Sequence, residues 1–391
     1  MRVVHVTSYF HPAVEWGGPV RSVAMLAQAC ARAGADVEVL TTNARGGPRL
    51  PRVPPGTREV GGVRVTYVEA RGPARFFFSA GLRRLLDQRV PPADVVHLHG
   101  IWTYPVLAAA RACERLGVPY VLSPRGSLDP WALGQKRWKK RGYLWLFERR
   151  TLEAAALLHF TSEDERRTAP DPFRSLPGIV IPNCLEVDDL LGLEREAPAP
   201  GPPEILMLGR IHPMKGFDVM VPALAALAAR GVDARLVVAG GDEGGHRAEV
   251  EDLVRRHAVA DRVRFLGSVE GEARRAAFRR AGVLAAPSHR ENFGNAIAEA
   301  MAAGLPVVVS PRVGIASDVF EAGAGLVVPR EPAPLAEALA GLLADASLRA
   351  EMGRRGRELV RTRYAAPAVA RATLAAYREI ARPRPAQEHP T

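Results

Sequence analysis

Residues 287–310, PSHRENFGNAIAEAMAAGLPVVVS, carry two carboxylates, Glu291 and Glu299, with seven residues between them. The pattern predicts a buried strand ending at Ala286 and a loop bearing Glu291-Asn292-Phe293-Gly294. A helix follows, with Asn295 as its candidate N-cap and Gly304 as its C′ residue. This spacing can direct both carboxylates toward one cleft above a sheet. The loop amides of Phe293, Gly294 and Asn295, with the helix dipole behind them, suit a phosphate. A glutamate in the first turns of a helix also offsets the dipole with no further purpose, so the whole constellation carries more weight than Glu299 alone.

A second segment, LGRIHPMKGFDVMVPAL at 208–224, runs from a strand through Gly209-Arg210 to Lys215-Gly216 at a helix entry. Arg210 offers a fork and Lys215 a point charge, together fitting a diphosphate, although either alone reads equally as a solvated loop cation. The pattern is not a P-loop, since G-x-x-x-x-G-K-[ST] is absent. In the first half, WGGPVRSV at 16–23 places Gly17-Gly18 where the backbone can approach a ligand, but it is not a dinucleotide fingerprint. DVVHLHG at 94–100 puts His97 and His99 on one side of a strand. No third ligand follows at metal-binding spacing. His99, at the strand's carboxyl end, suits a hydrogen bond to a polar ligand, whereas His97 reads equally as structural.

Short β-branched runs alternating with Ala/Leu-rich helices must position these groups. Strands are expected at 3–7, 36–41, 63–68, 95–99, 120–123 and 179–182, then at 205–209, 235–239, 263–266, 283–285, 306–309 and 326–328. Helices are expected at 19–33, 104–116, 141–155, 216–230, 247–259, 271–280, 295–303 and 334–344. Strands apolar throughout indicate parallel sheets covered on both faces. The alternation gives an α/β fold of two Rossmann-like, doubly wound domains. Ligands bind at the carboxyl ends of such strands, so an interdomain cleft is the expected site. Four prolines in APAPGPP, 197–203, read as the break between a domain of 1–190 and one of 191–365.

Composition narrows the function classes. With 391 residues, 47% hydrophobic and 24% charged, the chain can bury sizeable cores without disulfides. The best apolar run, 219–229, is about half of the ~20 residues a membrane span needs and contains Pro222. The start MRVVHVTSYF has no apolar secretory core. Cys30, Cys113 and Cys184 lie far apart, which argues against a disulfide framework or zinc site and predicts a cytoplasmic protein. The net charge of +11 divides into +8 over residues 1–190 and +3 over the rest, implying an anionic partner. No nucleic-acid-binding signature accompanies it.

These segments, in this order, resemble glycosyltransferase family 4, retaining enzymes of the two-domain GT-B fold, over roughly residues 1 to 380. SPRGSLDPWAL at 123–133 and HFTSEDE at 159–165 resemble bacterial members that build surface polysaccharides. Pro182-Asn183-Cys184 stands where the family's domain crossing has Pro-Asn-Gly. A closing helix near 366–382 would pack back on the first domain, leaving 383–391 as a tail. The resemblance implies a nucleotide-diphosphate sugar, UDP- or GDP-linked, as donor. Glu299 would accept from the ribose hydroxyls and Glu291 would hold the sugar. Arg210, Lys215 and the amides of Phe293, Gly294 and Asn295 would carry the diphosphate, with Gly17-Gly18 beside it. His99 would bond the transferred sugar. No metal or other cofactor is implied, and the acceptor would be a glycan or a lipid-linked molecule. No second, glycosidase-like nucleophile stands out.

Residues 134–150, GQKRWKKRGYLWLFERR, interleave aromatic and basic side chains. Lys136, Arg137, Trp138, Lys139 and Lys140 would suit an anionic membrane surface or an anionic acceptor, or simply a helix with its cations in water. A sugar-nucleotide epimerase or phosphorylase on the same architecture is an alternative, but neither explains Arg210 and Lys215 beside two spaced glutamates. A silent nucleotide-sugar-binding scaffold is a further alternative, against which the intact carboxylates speak.

Overall fold

A computed structural model describes residues 1–13, 16–45, 51–71, 76–134, 142–194 and 201–381. The chain divides into two compact units, one of Met1–Cys184 with the stretch from Ala366 onward, the other of Leu185–Ala365.

The first unit is an eight-stranded sheet: β1 (Arg2–Thr7), β2 (Asp36–Thr42), β3 (Gly56–Val60), β4 (Val63–Val68), β5 (Val95–His99), β6 (Tyr120–Ser123), β7 (Leu157–Phe160) and β8 (Gly178–Val180). Their spatial order is β3-β4-β2-β1-β5-β6-β7-β8. All neighbours run parallel except β3, which pairs antiparallel with β4. The helices Gly18–Arg32 and Ala366–Ile380 bury Val23, Leu26, Val369, Leu374 and Tyr377 in the core on one face of this sheet. The second unit holds β9 (Glu204–Leu208), β10 (Arg235–Ala239), β11 (Val263–Gly267), β12 (Ala281–Ala286), β13 (Val307–Val309) and β14 (Gly325–Val327). Every pair in it is parallel, in the order β11-β10-β9-β12-β13-β14.

Strands β4, β5, β6 and β10 and the helices Tyr104–Leu116 and Gly271–Arg280 have the bounds the pattern predicts. Other elements differ for physical reasons. The units part at Cys184/Leu185, not at the proline-rich stretch, because Leu185, Val187, Leu190 and Leu193 already pack into the second core. The helix expected over 141–155 is, in its described part, a π-helical turn, Leu144–Glu148, running into Arg149–Glu153. Strand β7 follows it, hidden in the sequence because the apolar run AAALL joins helix end to strand start. Strand β3 carries a polar, mostly exposed sequence, GTREV, that suits an edge but gives no alternating signal.

Both sheets have a topological switch point. After β9 the chain moves outward to β10 and β11, then returns to the other side of β9 with β12. In the first unit the same reversal lies between β1 and β5. Loops leaving the carboxyl ends of strands diverge at such points and leave a crevice there.

Candidate functional site

In the second unit, the loops after β9 and β12 are stitched together at the switch point. Gly216 has φ 81°, and a β-carbon there would stand 2.0 Å from the carbonyl oxygen of Pro287. Only glycine permits this approach, and the His289 amide then donates to the Met214 carbonyl at 2.8 Å. The contact seats the Lys215 ammonium on the Glu291 carboxylate, an ion pair whose side chains are each about four-fifths buried. Glu291 is fixed through its backbone as well: its amide donates to the Arg312 carbonyl, and its carbonyl accepts from Gly314.

The helix bearing Glu299 runs over Asn295–Ala302. Its N-cap is Gly294, at φ 107°, whose carbonyl accepts from the amides of Ile297 and Ala298. Asn295 is therefore the first helical residue and not the cap, because the loop needs a left-handed residue at 294. Gly304, at φ 77°, stands at C′ as predicted. Phe293 turns its ring into the core, edge-on to Tyr364 at 5.3 Å between centroids, so only its backbone faces the loop. Glu299 is paired with Arg274, from the helix Gly271–Arg280. Arg210 is largely exposed and donates to Glu243 at 2.5 Å. Lys215 and Glu291 thus meet directly, whereas Arg210 and Glu299 each hold a different partner. Arg274 and Glu243 carried no sequence signal, being one charge among many on solvent-facing segments.

In the first unit, the strand register aligns His5 with His97 and Thr7 with His99, and sets His99 beside Ser123. A directed hydrogen-bond chain crosses the sheet. The Ile181 carbonyl can only accept, so His159 Nε2–H donates to it, at 2.8 Å. His159 Nδ1 then accepts from the Ser123 hydroxyl at 2.7 Å, and Ser123 accepts from His97 Nε2–H at 2.9 Å. This leaves His97 Nδ1 to accept from Tyr377, at 2.6 Å. A second chain starts at Arg125, which donates to His99 Nδ1 at 3.2 and 3.3 Å. His99 Nε2–H then donates to His5 Nδ1 at 2.8 Å. Burial and the Arg125 charge hold all four imidazoles neutral, lowering His5 to about 3 and His159 to about 4, with His97 and His99 well below the ordinary value. His97 is structural. His99 borders a pocket, but both its nitrogens are engaged within the protein.

Three of these histidines, His5, His97 and His99, bring ring nitrogens within 4.8 Å of one another. Their lone pairs already accept from Arg125, His99 and Tyr377, and a guanidinium beside them repels a cation, so the group does not suit a metal. Gly17 caps the helix Gly18–Arg32, whose first turn reaches the same switch point. Lys136, Arg137, Trp138, Lys139 and Lys140, and the expected tail 383–391, lie outside the described residues. Among those described, no helix is long and apolar enough to cross a membrane.

Comparison with known proteins identifies the family. Residues 193–359 match the group 1 glycosyl transferases and residues 17–184 the glycosyl transferase 4-like domain. The D-inositol 3-phosphate glycosyltransferase of Kineococcus radiotolerans is 31% identical over 98% of this chain and 95% of its own. The glycogen synthase of Mycobacterium tuberculosis is 31% identical over 96% and 94%. Among solved structures, Anabaena HepE in complex with UDP and glucose superposes with a TM-score of 0.72 at 17% identity, over 97% of this chain and 100% of that one.

Proposed function

This chain belongs to the glycosyl transferases of GT-B fold that join a 4-like domain to a group 1 domain, and from that premise we propose that it moves a hexose from a nucleotide diphosphate to a glycan or lipid-linked acceptor, with retention of anomeric configuration and without a metal. The observation that carries the reading is the Lys215–Glu291 pair at the switch point of the second sheet, beside the amino end of the Asn295–Ala302 helix. A diphosphate is the ligand that such an ammonium and such helix amides serve together.

The donor's phosphates would take over Lys215 and recruit Arg210, whose exposed pair with Glu243 is worth less than about 1 kcal/mol and yields readily. Glu291, released from Lys215, would then accept from hydroxyls of the sugar, and Glu299 from those of the ribose. For Gly17, Gly18 and His99, the proposed roles toward the phosphates and the transferred sugar rest on the sequence resemblance. The bond from the anomeric carbon to the leaving phosphate oxygen breaks as the acceptor oxygen bonds the same face, and the acceptor's proton passes to the departing phosphate. The fixed cations stabilise the charge that develops on it.

UDP-glucose and UDP are ligands in solved HepE structures, which supports a uridine donor; GDP-linked sugars belong to the same screen. The acceptor role in surface polysaccharide or glycolipid synthesis, at the inner face of the plasma membrane, is part of the proposal and rests on the resemblance of residues 123–133 and 159–165. Release of UDP or GDP from UDP-glucose, UDP-galactose, UDP-N-acetylglucosamine and GDP-mannose, with and without EDTA, tests the reading. Turnover of none, or loss of activity on chelation, overturns it.

A further inference from the structure

The switch point of the first sheet holds a small cavity of about 80 Å³ among the loops that follow β1, β5 and β6. Several waters fit such a volume, at roughly 10–15 Å³ each; so does one oxyanion group. Its chemistry is one-sided. Arg125 lies on the wall, and burial lowers its guanidinium only to about 10, so it is cationic at neutral pH. Its hydrogen-bond partners are all neutral: His99 Nδ1, the Ser22 hydroxyl at 2.9 Å and the Asn183 side-chain oxygen at 3.2 Å. These leave one of its five N–H groups without a partner among the described residues. The carboxylate whose charge acts on it, Glu165, makes no ion pair with it among the described residues and accepts instead from the amides of Gly126 and Thr161 and the Thr161 hydroxyl. The neutral imidazoles add nothing to balance the guanidinium.

Among the hydroxyls on the wall, Thr7 and Ser8 spend their hydrogens on the Tyr9 carbonyl and on Thr103. Thr103 accepts from Ser8 at 2.7 Å, which leaves its own hydroxyl hydrogen free to turn inward. Tyr9 and Ser127, each with a hydroxyl, line the same space. No carboxylate stands among the described lining residues. We propose that this pocket is an oxyanion subsite, in which Arg125, Thr103, Ser127 and Tyr9 hold a phosphate or carboxylate group carried by the acceptor. The proposal rests on the glycosyl-transfer reading for the word acceptor, but the pocket's affinity for an anion stands apart from it.

The test is calorimetric titration of the full chain, held in saturating UDP so that the diphosphate site is filled. Glucose 6-phosphate and glucuronate are the probes, with glucose and inorganic phosphate as references. At least one charged probe binds about tenfold or more tightly than glucose, the scale of a charge-assisted hydrogen bond, and the tighter of the two names the group. Arg125→Gln removes that advantage. Because Arg125 also supports His99, the Thr103→Val, Ser127→Ala double variant serves as a second arm and weakens the charged probe while leaving UDP affinity unchanged. The proposal falls if neither charged probe outbinds glucose, if UDP abolishes their binding, or if both variants bind them as the parent does. Failure of glycosyl transfer with intact anion binding would strike the function and spare the pocket.

Discussion

Under the proposed reading, a diphosphate donor depends most on the Lys215 side chain. Its ammonium, about four-fifths buried beside Glu291, is available to phosphate oxygens without a large rearrangement. Lys215→Ala should weaken UDP binding about tenfold or more, the cost of one hydrogen bond between charged groups, which fluorescence or calorimetric titration will show. Glu291→Ala should act differently. Removing the carboxylate frees Lys215 for phosphate, so UDP affinity should hold or rise while turnover collapses; equal losses in both would remove Glu291 from the sugar. The linear pattern showed both residues, since a loop carboxylate and a loop cation stand out beside buried strands. Their direct pairing was not visible, because it depends on the close approach of Gly216 to the Pro287 carbonyl across two distant loops. The partners of Glu299 and Arg210, namely Arg274 and Glu243, were invisible for the same reason.

At the level of elements, Gly216 ties the loop after β9 to the loop after β12. Gly216→Ala places a methyl group against the Pro287 carbonyl in a left-handed conformation that alone costs about 1–3 kcal/mol. The substitution should lower the denaturant midpoint and, by parting the loops, weaken UDP binding as Lys215→Ala does; a variant with parental stability and affinity would show that the loops meet without it. Parallel strands and the helices between them were legible where apolar runs were bounded by polar turns, as at β5 and the helix Tyr104–Leu116. They were illegible where an element lacks its own contrast. Strand β3 is polar because an edge tolerates it, and β7 continues an apolar run begun by the preceding helix. The hydrogen-bond chain from Tyr377 to Ile181 draws single residues from β5, β6, β7 and the last helix. No period in the sequence announces such a row.

For the whole molecule, the four buried histidines make stability depend on pH. Their folded-state pKa values lie below the unfolded value, so below pH 6.5 the unfolded chain binds more protons. Their contribution is full above about pH 6.5 and is lost as pH falls toward 4, by about 1.4 kcal/mol per unit for each histidine that stays neutral. Thermal melts from pH 8 to 4 should show a steep fall in Tm below 6.5 that His159→Gln flattens; equal slopes would remove the cluster as the cause. Chain order adds a further constraint. The first unit takes its last helix, Ala366–Ile380, from beyond the entire second unit, and Tyr377 in that helix completes the hydrogen bonds of His97. A chain ending at Ala365 should therefore retain a cooperatively melting second unit and lose the first, as limited proteolysis would reveal. On the ribosome, the portion translated first is consequently the last to mature, and a nascent chain stalled short of its final helix would present an unfinished sheet to the chaperones around it.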